Sequence, residues 1–239
     1  MSMWKWWSAS KIGPKWPRFW GIFRRTTLRE DNRIGTKVKW QLTRFANGLS
    51  EGWSKPCRRL IQEMMFGIQA AKDVKLSNIA RALGEPIRLI KTENRLSRNL
   101  AAQDWSDRLN ERIVWQAASR VGRDTVLAVD LSDVSKRYAQ KMECLVGVRD
   151  GSQGETGRGY WLLEIVGADV EGDRITPLYG ELYSQEAPGF QSENDQLLKA
   201  VTRVTEMTFG RGILAWDRGG DRYAILIPLL ERQLRFVIR

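Results

Sequence analysis

Histidine is absent from all 239 residues of the sequence. This absence excludes Ser-His-Asp and Cys-His catalysis and every zinc site that depends on histidine. The two cysteines, Cys57 and Cys144, are too few for a disulfide framework and predict a reducing compartment. No Gly-Lys pair occurs, so a Walker A phosphate loop is excluded as well. Chemistry must therefore come from carboxylates, lysine, arginine, tyrosine or serine.

Long hydrophobic runs are also missing, and no stretch approaches the roughly 18 apolar residues of a membrane span. The first 30 residues are basic and rich in tryptophan, but lysines interrupt each apolar run, so a signal peptide is not predicted. We expect residues 1–30 to be a poorly ordered leader; interfacial membrane binding and nucleic-acid contact are alternatives that the composition allows. The predicted location is the cytoplasm, in association with the nucleoid and without a membrane partner.

Positive charge is concentrated at the start of the chain. The formal net charge is +11, and residues 1–60 hold 14 Lys and Arg against 3 acidic residues. Residues 126–239 hold 14 basic against 17 acidic residues, so the second half is slightly acidic. This asymmetry predicts that the first half binds a polyanion and that the second half does something else.

Residues 31–122 read as an all-helical, DNA-binding region. Apolar residues recur every three to four positions through residues 27–72, and Gly48, Gly52 and Pro56 divide that stretch into two helices. Two short helices around Gly84 then have the layout of a helix-turn-helix. The second of these helices carries basic residues three to four positions apart, on a face broad enough to meet DNA phosphates: Arg88, Lys91, Arg95 and Arg98. The alternative is an ordinary helical hairpin with a solvated basic face.

Residues 123–239 contain short β-branched runs that predict strands. Two helices are predicted among them, one over residues 193–208 and one from about residue 221, with Asp221 as its N-cap. The predicted class is therefore α/β, with a helical region followed by a mixed sheet and flanking helices.

Two aspartates follow buried apolar runs, Asp130 after VLAV and Asp217 after ILAW. Acids at the ends of central strands meet at the rim of a sheet, and neighbouring strands are about 4.8 Å apart, so the two carboxylates can share one ion. Oxygen ligands without histidine favour Mg²⁺, with Mn²⁺ as a substitute. Such ions support phosphoryl transfer on DNA. Lys136 and Arg218 are the nearby candidates for contact with DNA phosphates.

Several segments together resemble the DDE transposases of bacterial insertion sequences. The resemblance covers roughly residues 60–239 and rests on LSNIARALGEP, TENRLSRNL, VLAVDLSDVSKRYAQKME, LAWDRGGDR and LRFVIR. It implies a ribonuclease-H-like catalytic core, Mg²⁺-dependent DNA cleavage and strand transfer, binding to terminal inverted repeats of double-stranded DNA, and a homodimer in the DNA complex. It assigns the first two catalytic acids to Asp130 and Asp217.

The third acid of that family is a glutamate on a helix beyond the fifth strand, and the sequence ends at Arg239, before such a helix. The expectation is therefore a truncated core that binds DNA without efficient cleavage. Two other hypotheses remain open. One is a non-catalytic DNA-binding remnant or regulator that occupies transposon ends. The other is a metal nuclease whose third ligand is Glu193 or Asp195.

Overall fold

The structure is a computed structural model that describes residues 23–239 except 137, 140, 150–153, 155 and 170–173, with backbone only for 23–32 and 34. The predicted leader, residues 1–30, thus lies outside the described residues up to residue 22. Contacts divide the chain into two compact units, Met1–Phe45 and Ala46–Arg239. The predicted boundary between residues 31–122 and 123–239 falls inside the second unit and stays a prediction.

The first two helices form where the apolar spacing predicts them. Helix α1 spans Phe23–Leu49 and helix α2 spans Lys55–Ala71. Between them Gly52 has a φ of 76°, which residues with a side chain rarely adopt, and Pro56 lies in the first turn of α2, where its missing N–H costs nothing.

Helices α3, Leu76–Leu83, and α4, Leu89–Ala101, form the predicted pair around a tight turn. Gly84 ends α3 in the left-handed conformation, with its N–H donating to the Arg81 carbonyl. The core between these helices and α2 consists of fully or nearly fully buried side chains, namely Leu60, Ile79, Ala80 and Leu96. Helix α5, Trp105–Ala117, follows and begins at Asp104, whose carboxylate accepts from the Ser106 N–H.

The described part of the chain after α5 contains a mixed sheet of six strands. The strands are β1 Val126–Ser135, β2 Val146–Arg149, β3 Thr156–Ala168, β4 Ile175–Tyr183, β5 Ile213–Trp216 and β6 Phe236–Ile238. The order is β2-β3-β1-β5-β6, with β4 also pairing to β3. Pairs β1–β3, β2–β3 and β3–β4 are antiparallel, whereas β1–β5 and β5–β6 are parallel. The α/β prediction is confirmed.

Helices α6, Glu193–Met207, and α7, Tyr223–Glu231, contribute to the main core with α5 and the sheet. Helix α6 lies where the sequence predicts it. The predicted N-cap of α7 is wrong, because Arg222 holds that position and Asp221 precedes it. The cause is a 3-10 turn over Arg218–Gly220, which delays the start of the helix.

Within the part of the chain that the structure describes, no helix combines the length and apolarity needed to cross a membrane.

Candidate metal and nucleic-acid site

Asp130 and Asp217 follow the paired segments of two neighbouring parallel strands, β1 and β5, at the same offset. Strands β1 and β5 pair from Val126 with Ile213 to Ala128 with Ala215. Asp130 lies two residues beyond that last pair within β1, and Asp217 lies two residues beyond it, directly after the end of β5. Since parallel strands advance together at about 3.3 Å per residue, this register brings the two acids to the same edge of the β1–β5 pair.

The sequence predicted Asp130 at the end of its strand, whereas in the structure Asp130 lies within β1. Strand β1 continues to Ser135, because antiparallel pairing with the long strand β3 persists to Ser135 opposite Gly159. Strand β5 ends at Trp216. Asp130 therefore lies where β1 separates from β5, in the middle of its own strand.

Both carboxylates are exposed and each makes one local hydrogen bond. The Ser132 hydroxyl donates to Asp130 Oδ2 at 2.6 Å, and the Gly219 N–H donates to Asp217 Oδ1 at 2.8 Å. Asp217 thereby caps the 3-10 turn, which is the structural role that an isolated aspartate often has. In the described part of the chain, no hydrogen bond engages the second oxygen of either group, so each can accept a ligand.

Glu164 is a third acid beside this pair that sequence reasoning missed. It is the direct antiparallel partner of Asp130 in the β1–β3 register, and both residues are exposed. Side chains directly opposite each other share a face with Cβ atoms about 5 Å apart, and like charges there repel. A bound cation would remove that repulsion. No local signal marks Glu164 in the sequence, because its position depends on a strand register.

A cavity of about 220 Å³ adjoins the two aspartates. Its lining includes Asp130, Asp217, Glu193 and Arg222, together with Trp161 and Trp216. The sequence left Glu193 and Asp195 open as alternative ligands. Glu193 lines the cavity, whereas the exposed Asp195 accepts from the Ser192 hydroxyl at 2.5 Å in the cap of α6.

Glu193 is held by an arginine. The Arg222 Nη2 lies 2.6 Å from Glu193 Oε1, and Arg222 Nη1 donates to Asn194 Oδ1 at 3.0 Å. The charge of Glu193 is therefore compensated by Arg222.

Aspartate oxygens are suitable ligands for Mg²⁺, but Asp130 and Asp217 alone do not fill its coordination sphere. Among the described residues, no three His, Cys, Asp or Glu side chains are close enough together to hold a metal ion. Mg²⁺ usually keeps several water ligands and uses one or two carboxylates plus substrate phosphates. The pair Asp130 and Asp217 fits that mode of binding.

The basic residues of α4 separate into two groups. Arg88, Lys91 and Arg98 are exposed. Arg95 is half-buried, and its guanidinium pairs with Glu63 and, at 2.7 Å, with Glu85. The charge of Arg95 is therefore compensated by Glu63 and Glu85 within the helical segment.

The ionic cluster around Arg95 also shifts pKa values. The Thr92 hydroxyl donates to Glu85 at 2.7 Å and, with the Arg95 guanidinium, keeps the pKa of Glu85 below its ordinary value despite the opposing effect of burial. The Glu63 and Glu85 carboxylates raise the pKa of Arg95.

Two further predicted DNA contacts lie beside the strands. Arg218 is exposed in the 3-10 turn directly after Asp217. Lys136 is half-buried directly after β1, and its backbone N–H donates to the Arg158 carbonyl at 2.7 Å.

No family model and no curated protein matches the chain. Among solved structures, it is similar to a chain of the crystal structure of the Mos1 Strand Transfer Complex, with 14% sequence identity and a TM-score of 0.27. The match covers 71% of this chain and 54% of that one, so the chain spans about half the length of the structure it matches.

Proposed function

We propose that this chain is a transposase-like protein that binds double-stranded DNA at terminal inverted repeats. In this proposal the helical segment binds the DNA, and Asp130 and Asp217 hold Mg²⁺, or Mn²⁺, for cleavage and transfer of a DNA strand. The sheet would then be a ribonuclease-H-like catalytic core.

The observation that supports the proposal is the parallel β1–β5 register, whose last pair, Ala128 with Ala215, precedes each exposed aspartate by two residues. Two neighbouring carboxylates repel each other, and this repulsion lowers the stability of the fold unless a counter-charge lies nearby. Their exposure keeps them accessible to a hydrated ion and to a phosphate.

Each residue has a separate role in this proposal. Asp130 and Asp217 anchor the ion, which when bound activates a water or a hydroxyl group and stabilises the leaving oxygen. Arg218, next to Asp217, and Lys136, after β1, neutralise phosphates of the same strand. Arg88, Lys91 and Arg98 contact the backbone of the duplex.

Nicking of a supercoiled plasmid in the presence of Mg²⁺ or Mn²⁺ tests the catalytic part. We expect at most slow nicking by the unmodified chain, and its loss in both Asp130→Asn and Asp217→Asn. Asp221→Asn is the matched control, because Asp221 is exposed in the same loop but does not line the cavity. Nicking that survives in both aspartate variants would contradict the assignment.

A second candidate function is DNA binding without cleavage, by a remnant or regulator that occupies transposon ends. The absence of three converging metal ligands among the described side chains favours it. The same experiment separates the two functions, because this candidate predicts retention of the plasmid by the chain and no nicking with either ion.

A further inference from the structure

The lining of the cavity beside the aspartates includes two tryptophans whose indole N–H groups are buried and unpaired. In the described part of the chain, the buried polar side-chain atoms without a partner are Arg95 Nε, Trp161 Nε1, Tyr183 Oη, Gln196 Oε1 and Trp216 Nε1. Trp161 and Trp216 both belong to the cavity lining. Trp216 is only 7% exposed, so water does not compensate for its missing partner.

Tyr183 is a third unpaired donor, which does not line the cavity but is close enough to Glu193 and Arg222 to be affected by their charges. Its side chain is buried and stacks on Phe190 with ring centroids 6.0 Å apart. Burial, reinforced by the charge of Glu193 and opposed by that of Arg222, raises the pKa of Tyr183 to about 12. The phenol is therefore protonated at neutral pH and can donate a hydrogen bond.

Buried polar groups in proteins are nearly always paired, so two unpaired donors on residues that line one cavity point to a ligand with acceptor oxygens. The cation of the cavity is Arg222, whose planar guanidinium binds carboxylate and phosphate oxygens with the same geometry. In this structure its partner is Glu193, at 2.6 Å. A carboxylate thus occupies the position that a phosphate can take.

We infer that this cavity is a phosphodiester-binding subsite in which Arg222 and the indole N–H groups of Trp161 and Trp216 hold phosphate oxygens, and that Glu193 blocks Arg222 until the phosphate displaces it. The inference rests on the proposed function, since the ligand is a segment of DNA strand next to Asp130 and Asp217. It assigns a binding role to residues outside the aspartate pair.

Loss of Glu193 has opposite effects on ligand binding if the residue is only a structural partner of Arg222 or if it competes with the ligand for Arg222. If the pair only holds α6 and the loop before α7 together, Glu193→Gln loosens the cavity and weakens binding. If Glu193 competes with the ligand, Glu193→Gln frees Arg222 and strengthens binding.

The probe is the dinucleotide dTpdT, which carries one phosphodiester, titrated in the presence of EDTA. The readout is the indole N–H region of the NMR spectrum, with Trp161 and Trp216 assigned through Trp161→Phe and Trp216→Phe. We expect both signals to shift, and we expect the uncharged methylphosphonate analogue to leave them unchanged.

The variants give the decisive comparison. Glu193→Gln should tighten dTpdT binding about tenfold, and Arg222→Gln should weaken it by about tenfold or more, the effect of one charge-assisted hydrogen bond. The matched control is the pair Asp107–Arg203, another carboxylate–guanidinium contact at 2.9 Å, whose residues do not line the cavity. Asp107→Asn and Arg203→Gln should leave dTpdT binding unchanged.

Weaker or unchanged binding in Glu193→Gln would overturn the inference, as would unshifted indole signals in the unmodified chain. Arg222→Lys keeps the cation and provides a second variant if Arg222→Gln does not fold. Because EDTA removes metal, binding of dTpdT in this titration does not depend on an ion held by Asp130 and Asp217. Binding of dTpdT without any Mn²⁺ binding would sink the proposed metal site alone, and the reverse outcome would sink the subsite alone.

Discussion

Arg95 shows how one residue can match a DNA-binding pattern and serve a different purpose. The spacing of Arg88, Lys91, Arg95 and Arg98 predicts one basic face, and three of these side chains are exposed. Arg95 instead turns toward Glu63 and Glu85, which lie on α2 and in the turn before α4. Sequence spacing cannot reveal this, because the acids come from another helix and another turn.

The exposed residues of α4 should control the salt dependence of DNA binding. Replacing Arg88, Lys91 and Arg98 together by Ala should lower the slope of log K against log salt by about 3, since each phosphate contact contributes about 0.9. Fluorescence anisotropy with a labelled duplex at several salt concentrations measures this slope.

The control for that variant removes the same charge elsewhere. Arg120, Arg123 and Arg174 are exposed and lie outside α4. Their joint replacement by Ala should change the slope far less. Equal slopes for the two triple variants would mean that net charge, and not α4, determines DNA binding.

Glu85 should make the helical core sensitive to acid. Its pKa is lowered in the folded chain from an ordinary value of 4.5, first by the Thr92 hydrogen bond and also by Arg95. A lowered pKa contributes stability above the unfolded value, and that stability is lost as the pH falls through the folded value. Glu85→Gln should therefore be less stable than the unmodified chain at pH 7, with the difference shrinking below about pH 4.5.

Urea unfolding at pH 7 and at pH 3.5 measures this difference. The exposed Glu111 on α5 offers a control, and Glu111→Gln should show no comparable dependence on pH. A difference between Glu85→Gln and the unmodified chain that stays constant over this range would show that the Glu85 carboxylate is not stabilised by folding.

At the scale of elements, Gly67 allows α3 to pack against α2. A Cβ atom at this position would lie 2.4 Å from Cγ2 of Ile79, a side chain that is completely buried. Gly67→Ala should therefore destabilise the chain by about 1–3 kcal/mol, although alanine is the better helix former. Thermal unfolding checks this against Gly35→Ala in α1, where nothing lies within 4 Å and a small gain is expected.

Asn110 joins helix α5 to strand β4. It is 2% exposed, its amide donates to the Gly180 carbonyl at 3.0 Å, and it accepts from the Gly180 N–H at 3.0 Å. Gly180 already pairs with Glu164 of β3, so Asn110 satisfies the other edge of β4. Asn110→Ala should cost about 1–3 kcal/mol in the free energy of unfolding, because the Gly180 groups lose buried partners. An unchanged urea midpoint would contradict this role.

The elements themselves were largely predictable. Apolar periodicity indicated α1 and α2 with the break between them, the pair α3 and α4, and the strands, because these signals are local. The sheet order and the β1–β3 register were not predictable, since they join residues far apart in the sequence. For this reason Asp130 was expected at a strand end and Glu164 was missed, although Asp130 and Asp217 themselves were chosen from local apolar runs.

At the scale of the whole molecule, basic helices and an acidic sheet edge divide the work of the proposed function. The helices offer positive charge to a duplex, and the sheet offers carboxylates to an ion that a phosphate can complete. In the adjoining cavity the charge of Arg222 is already compensated by Glu193, so the two aspartates need a separate counter-charge. The central claim is therefore that Asp130 and Asp217 together bind a divalent cation.

The most direct test of that claim is a titration of the chain with Mn²⁺ followed by electron paramagnetic resonance, in the absence of DNA. The account predicts one class of bound Mn²⁺ that Mg²⁺ displaces, lost in Asp130→Asn and in Asp217→Asn and retained in Asp221→Asn. Mn²⁺ binding that is absent from the unmodified chain, or that survives in both aspartate variants, would contradict it.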